Sequence, residues 1–420
     1  MDQDKKAGMT RRDFAKATAA ATAFGILHAK PGKAETNGET IRIGLIGCGG
    51  RGGGAVLNCL TGNENVKLVA MADVFEDKLE GKRADMEKKA HGSIKKKIDV
   101  ADDMCFVGLD AYQKLLATDV DMIIHGTPPY ARPQHITAAV DAGKHIFTEK
   151  PVAVDPVGIR QFMAAAKKAE EQKLSFVTGT QRRHQQPYLE TIEQIHDGAI
   201  GEVLAARAYW CGSLPFAHER EEGWSDLEYQ LRNWYNYVWT CGDNIVEQHI
   251  HNIDIINWVM GGPPAKAFAS GGRAWKPRDV NNKYGNIWDN FSVDYEYPNG
   301  VHLLSMSRHW NDSANAVMEE VTGTKGKSNC RDLGSGDNDP YVQEQIDLVK
   351  SIRGEGPYLN EGVRTAESTL TAIMGRMAAF SGKLLTWDDA LNSDVSIVPK
   401  DLDFDTDYPV RPIAEPPSAI

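Results

Sequence analysis

The stretch Gly47-Cys48-Gly49-Gly50-Arg51-Gly52 constrains this 420-residue chain more than any other feature. It lies between an apolar, strand-like run at residues 41–46 and a helix-compatible stretch that reaches residue 60. In a G-x-G-x-x-G turn the first glycine permits a tight reversal, the second lets backbone approach a ligand, and the third lets the helix pack closely. The helix that follows points free N–H groups at negative charge, so the pattern in this context implies a pyrophosphate cradle. A second strand-like run, 66–72, ends in Asp73, 21 residues beyond Gly52. That is close to the interval expected for a carboxylate that accepts the adenosine ribose hydroxyls. A carboxylate there repels a 2′-phosphate, so NAD is expected in preference to NADP, with Gly47, Gly49, Gly50, Arg51, Gly52 and Asp73 around it.

Strand-like runs at 122–125, 145–148 and 174–178 then alternate with helical stretches at 133–142 and 156–170. Alternating βα units imply a doubly wound parallel sheet, here a Rossmann domain over residues 38–180. Ligands of such sheets bind beyond the carboxyl ends of the strands, which brings Thr127, Pro128, Glu149, Lys150 and Gln181 to the cofactor. Past Pro187 the pattern changes to a helix at 188–196, a strand at 202–210 and a long aromatic loop. Further on, Phe291, Val293, Tyr295 and Tyr297 alternate before Asn299-Gly300 and a returning strand at 301–306. The latter is a hairpin signal, and residues 181–394 read as a sheet-based α+β domain. The Pro- and Asp-rich end, 395–420, reads as an extended tail on the surface or on a partner.

At the other end, Thr10-Arg11-Arg12-Asp13-Phe14-Ala15-Lys16 precedes an Ala/Thr-rich apolar run at 17–29. It resembles a twin-arginine (Tat) export signal, which implies a periplasmic or secreted protein once residues 1–34 are removed. The run is far shorter than the ~20 residues that span a bilayer, so no stable membrane span is expected. The formal charge of −11 would become −15 on loss of that segment. An acidic protein of this kind argues against nucleic acid as partner, whose binding rests on cationic contacts to phosphate. The six cysteines form no C-x-x-C pair and suggest packed thiols rather than a metal ribbon.

The run Ala142-Gly143-Lys144-His145-Ile146-Phe147-Thr148-Glu149-Lys150-Pro151 is similar to the A-G-K-H-V-x-x-E-K-P signature of Gfo/Idh/MocA oxidoreductases. Thr127-Pro128 followed by His135 fits the same family, with extra residues in the intervening loop. The resemblance implies that Glu149 and Lys150 lie beside the nicotinamide ribose and that Lys150 also reaches the substrate hydroxyl. It further implies a largely antiparallel open sheet in the second domain, often a site of homo-oligomer contacts.

The segment 242–258 carries Glu247, His249, His251 and Asp254. On a helix Glu247 and His251, four apart, share a face. In the family an acidic residue stands four before a histidine that is itself three before an Asp, and that histidine accepts the proton. His251 and Asp254 match, while Glu247 replaces the usual Asp and His249 the usual Gly. Oxidising a carbinol needs a hydride acceptor on one side of the carbon and a near-neutral base at the hydroxyl, which His251 supplies, with Glu247 as its orienting carboxylate. A metal reading of Glu247-x-His249-x-His251 fails because His249 leaves the shared face and no further ligand is evident; no metal is expected. Arg182, Arg183, His184 and Tyr188 are placed to face the cleft. Trp210, Trp224, Trp234, Tyr235 and Trp239 offer rings on which sugar faces stack, with Arg183, Trp234 and Tyr235 expected at the substrate beside Lys150 and His251.

The expectation is an exported oxidoreductase that passes hydride between tightly bound nicotinamide and a carbinol carbon of a sugar or glycoside. A glycoside hydrolase that oxidises and re-reduces one substrate remains open as an alternative, as does a non-catalytic protein that binds sugar and NAD.

Overall fold

The computed structural model describes residues 39–274 and 285–417. The twin-arginine segment lies outside the described residues. Six short strands, β1 (Ile41–Ile46), β2 (Val66–Asp73), β3 (Cys105–Val107), β4 (Met122–His125), β5 (His145–Thr148) and β6 (Phe176–Thr178), form one sheet in the order β3-β2-β1-β4-β5-β6. Every pairing in it is parallel. Strands such as β4 and β6 are buried throughout, as expected where helices cover both faces. The strand order reverses between β1 and β4, and the crevice at that switch point is where such sheets hold ligands.

The second sheet contains β7 (Val203–Gly212), β8 (Lys266–Gly272), β9 (Asn290–Glu296), β10 (His302–His309), β11 (Ala316–Gly323), β12 (Lys327–Ser328) and β13 (Leu385–Thr386). Its order is β12-β11-β7-β10-β9-β8-β13. Only the β7–β10 pair is parallel, so the sheet is mixed and mostly antiparallel. Burial alternates along β9 and β10, and Gly300, at φ +80°, takes the left-handed turn position between them. Helices Ile250–Met260 and Gly362–Ser381 cover the inner face, where Tyr295 Oη donates to Thr371 O at 2.9 Å.

The late helices also complete the first domain. Leu348, Val349 and Ile352 of helix Pro340–Arg353 share a core with Ile43, Leu45 and Val56. Helix Pro340–Arg353 sits tightly on helix Gly50–Gly62, since a Cβ at Gly62 would come within 2.8 Å of Val342 and Ile346. The chain end, 395–417, has no regular element and lies on this chain's own cleft rim, with Ile397, Val398, Leu402, Phe404 and Tyr408 in one apolar cluster with Phe75, Tyr130 and Trp239. All six cysteines are free thiols, five of them buried.

The single helix expected to carry both Glu247 and His251 is instead two. Helix Asn244–Glu247 stops, and helix Ile250–Met260 begins after Gln248 and His249. The bend tightens to bonds three residues apart, His251 N to Gln248 O and Asn252 N to His249 O. His249 marks the break: its Nε2 lies 2.7 Å from Ser305 Oγ on β10, so the ring is committed to the sheet rather than to the helix surface.

Candidate active site

A cleft of about 1280 Å³ runs from the end of β2, past the glycine turn, to the inner end of the mixed sheet. At its dinucleotide half, Gly47 has φ +92°, and a Cβ there would meet Thr127 N at 2.6 Å. Glycine is required because two switch-point loops touch. A Cβ at Gly52 would collide with Gly47 O, whereas Gly49 and Gly50 face open space. Helix Gly50–Gly62 has no side-chain cap at its start, so first-turn N–H groups remain available to an anion. Asp73 lines the cleft and accepts from Cys48 N at 2.6 Å and from Phe75 N at 2.9 Å. Burial pushes its carboxyl up and these two donors pull it back. A cradle that a Cβ would fill, free helix donors and a fixed carboxylate together fit a dinucleotide.

Farther in, Thr127 and Pro128 line the cleft. Thr127 Oγ1 contacts His125 Nε2 at 2.9 Å, and His125 contacts His135 Nδ1 at 3.1 Å, with His135 stacked on Tyr112. Burial holds both imidazoles neutral, pushing His135 down to about 3. Arg132, unanticipated, sits in the lengthened loop between Pro128 and His135. It donates to Thr127 O at 3.1 and 2.7 Å and to Pro151 O, tying two strand-end turns together. Glu149 pairs with Arg51 at 2.6 Å, and the Arg51 guanidinium lies 4.5 Å over Tyr341, whose hydroxyl accepts from Gln181 Nε2. Tyr341 comes from a helix nearly 200 residues downstream of Glu149, and nothing local in the sequence signals it.

Lys150, in a cis Lys150–Pro151 step, donates to Glu247 O at 2.6 Å, with Glu247 Oε1 at 3.4 Å. Both side chains are buried. Burial raises the Glu247 carboxyl, while Lys150 and Arg132 draw it down. Glu247 was expected to orient His251, but its partner is Lys150. The helix break separates the two residues, and Glu247 Oε2 has no hydrogen-bond partner within the chain. His251 is half-buried in the cleft, its ring stacked on Trp210 with centroids 5.8 Å apart. Burial, then the charges of Lys150, Arg182 and Arg51, hold its pKa well below 6.5. The imidazole is therefore held neutral, and it faces the same space as Lys150.

Trp234, Tyr235, Trp210, Phe216, Gln248 and Arg182 complete the wall. Arg183, expected at the substrate, is not among the lining residues. Its guanidinium bonds Asp254 at 2.8 and 2.9 Å and lies over Trp258, because the two buried charges require each other. His184 and Tyr188 also turn inward, to Asp347 and to Glu319. Of the other two tryptophans expected to offer rings to a sugar, Trp239 packs on Tyr130 and Trp224 on Arg232.

Fold and site define a two-domain, nicotinamide-dinucleotide-binding protein with a histidine and a lysine at the domain junction. The chain belongs to the Gfo/Idh/MocA family: residues 41–177 match its "Oxidoreductase family, NAD-binding Rossmann fold" model and residues 188–328 its C-terminal domain model. It is 26% identical over 231 residues to an inositol 2-dehydrogenase of Rhizobium meliloti, covering 55% of this chain and 58% of that protein. It is 33% identical over 114 residues to a glycosyl hydrolase family 109 protein of Solibacter usitatus, 27% of this chain and 25% of that one. The chain thus spans a little over half, or less, of the length of these curated relatives. The aldose-aldose oxidoreductase of Caulobacter crescentus, solved with glycerol, shares the fold with a TM-score of 0.65 at 16% identity, over 83% of this chain and 100% of that one.

Proposed function

We propose that this protein is an exported oxidoreductase that acts on a CH–OH group of a sugar, cyclic polyol or glycoside. NAD, when bound, supplies the hydride acceptor. His251 takes the hydroxyl proton, Lys150 stabilises the developing alkoxide by hydrogen bonding, and Trp210, Trp234 and Tyr235 hold the apolar face of the ring. The observation that carries this reading is the neutral His251 imidazole stacked on Trp210 in the same cleft as Lys150. The relatives' names, inositol dehydrogenase and aldose-aldose oxidoreductase, support a polyhydroxylated ring. Apolar Phe268 and Leu304, exposed across the outer face of the mixed sheet, support a homo-oligomer through that face.

Free NAD is scarce outside the cytoplasm, so an exported enzyme of this kind keeps its cofactor and recycles it within the site. Likeness to a family 109 hydrolase favours a second reading, in which oxidation, elimination and reduction occur on one glycoside. The test is a panel of sugars, inositols and chromogenic glycosides added to natively purified protein, with the reduced-nicotinamide band and aglycone release followed together. A rise in the band without aglycone supports the first reading, and aglycone release without added NAD supports the second. Binding of NAD and sugar with neither signal would leave a non-catalytic binding protein. Arg11→Lys with Arg12→Lys should leave unprocessed protein in the cytoplasm, and mature protein outside would contradict the export reading.

A further inference from the structure

We propose that the C-terminal tail is part of the dinucleotide site: residues 397–404 roof its adenosine end and make NAD a resident cofactor. The cleft beyond Asp73 is floored by Val74, Phe75 and Leu109 from the first domain. Val398, Pro399, Asp401 and Leu402 of the tail line the same space. Val398 and Leu402 also belong to the apolar cluster that contains Val74, Phe75 and Leu109. Two apolar walls at the ribose-binding end of a Rossmann cleft form a slot suited to the flat faces of a purine.

The tail is fastened on both sides of that slot. Before it, Ile397 N donates to Asp155 Oδ2 at 2.8 Å. Within and after it, Phe404 packs on Phe75 with centroids 6.1 Å apart, Gln230 Nε2 donates to Tyr408 O at 2.6 Å, and Trp288 Nε1 donates to Ala414 O at 2.9 Å. Alongside, Arg232 bonds both oxygens of Asp77 and lies 4.0 Å over the Phe75 ring, so the second domain grips the element that follows Asp73. A dinucleotide whose adenosine lies in this slot leaves only after the tail peels away. Mutational differences in affinity fall mostly on the dissociation rate, and here that rate contains the opening of the tail. The tail lies beyond both stretches that match the family models, so the device belongs to this chain rather than to the matched domains.

The proposal rests on the cleft being a dinucleotide site, and the experiment separates the two. Cofactor release is timed by dilution of protein loaded with NADH into a trap of excess NAD, read by the fluorescence of the reduced nicotinamide. The proteins compared are the full chain, a chain ending at Ser396, Val398→Ser with Leu402→Ser, and Val410→Ser, an exposed tail position away from the slot. The truncated chain and the double variant should release NADH at least about tenfold faster, while Val410→Ser releases it as the full chain does. Should truncation unfold the protein, the double variant decides. Equal release from the full chain and the double variant, or tighter NAD binding without the tail, overturns the roof. A full chain that binds no NAD overturns the reading of the cleft as well.

Discussion

Burial, and then the charges of Lys150, Arg182 and Arg51, keep the His251 imidazole neutral, while a buried carboxylate, Asp254, draws Arg183 out of the cleft. Asp254 is buried, which alone would raise its carboxyl, but Arg183, and then Arg364 and Ser368, hold it below the usual carboxylate range. The pair pins the helix that begins one residue before His251. Arg183→Ala should therefore cost about 3–5 kcal/mol of stability by leaving a buried carboxylate unpaired. Denaturant unfolding checks this, and the substrate KM of the folded fraction should change little. A raised KM with unchanged stability would instead return Arg183 to the substrate. The Arg183 expectation failed for a definable reason. Two adjacent arginines after a strand look alike in sequence, and which one turns inward depends on Asp254, 71 residues away. Glu247 illustrates the same limit, since its partner Lys150 lies 97 residues back.

At the scale of elements, local chain geometry was legible. The glycine turn, the carboxylate at the end of β2, the parallel strands and the 299–300 hairpin are encoded by neighbours within a few residues, and the structure has them at those positions. The break at 248–249 was not, because neither glycine nor proline stands at Glu247-Gln248-His249 and only the distant Ser305 contact marks it. The glycine turn gives a separable prediction. Gly50→Ala meets open space and should leave apo stability unchanged while weakening NAD. Gly52→Ala drives a Cβ into Gly47 O and should lower both, read by apo Tm and by NAD titration. Equal stability of the two apo variants would mean the helix is not pressed on the turn. The contact that His184, in the turn after β6, makes with the late helices adds a pH signature. Burial opposes its protonation, but Glu361 and Asp347 raise its pKa to about 9 from 6.5. Because the folded pKa is the higher, this stabilisation is complete below 6.5 and is lost as pH rises through about 9. Apparent Tm should fall over that window, and His184→Gln should lower Tm at pH 6 and flatten the fall. A parallel fall in the variant would place the effect elsewhere.

The whole molecule joins a dinucleotide sheet, a mixed sheet, late helices that complete the first core, and a tail on the cleft rim. The tail's extended character was readable from its composition, but its berth was not, because that depends on Phe75 and Tyr130 of the first domain. The proposed function turns on His251 as the base and Lys150 as its electrostatic partner in hydride transfer from a carbinol. The direct test is the pH profile of the pre-steady-state rise in reduced nicotinamide for the wild type, His251→Ala and Lys150→Ala, with the cofactor loaded and the best substrate of the panel. General-base catalysis contributes about 10²–10⁴-fold. His251→Ala should lose rate by that factor along with the acidic limb, which in the wild type lies below 6.5 because the lowered pKa keeps the imidazole neutral. Lys150→Ala should lose rate and keep the limb, and the double variant should fall short of the product of the single losses. Near-normal transfer in His251→Ala, or an acidic limb unchanged without the imidazole, would contradict the account.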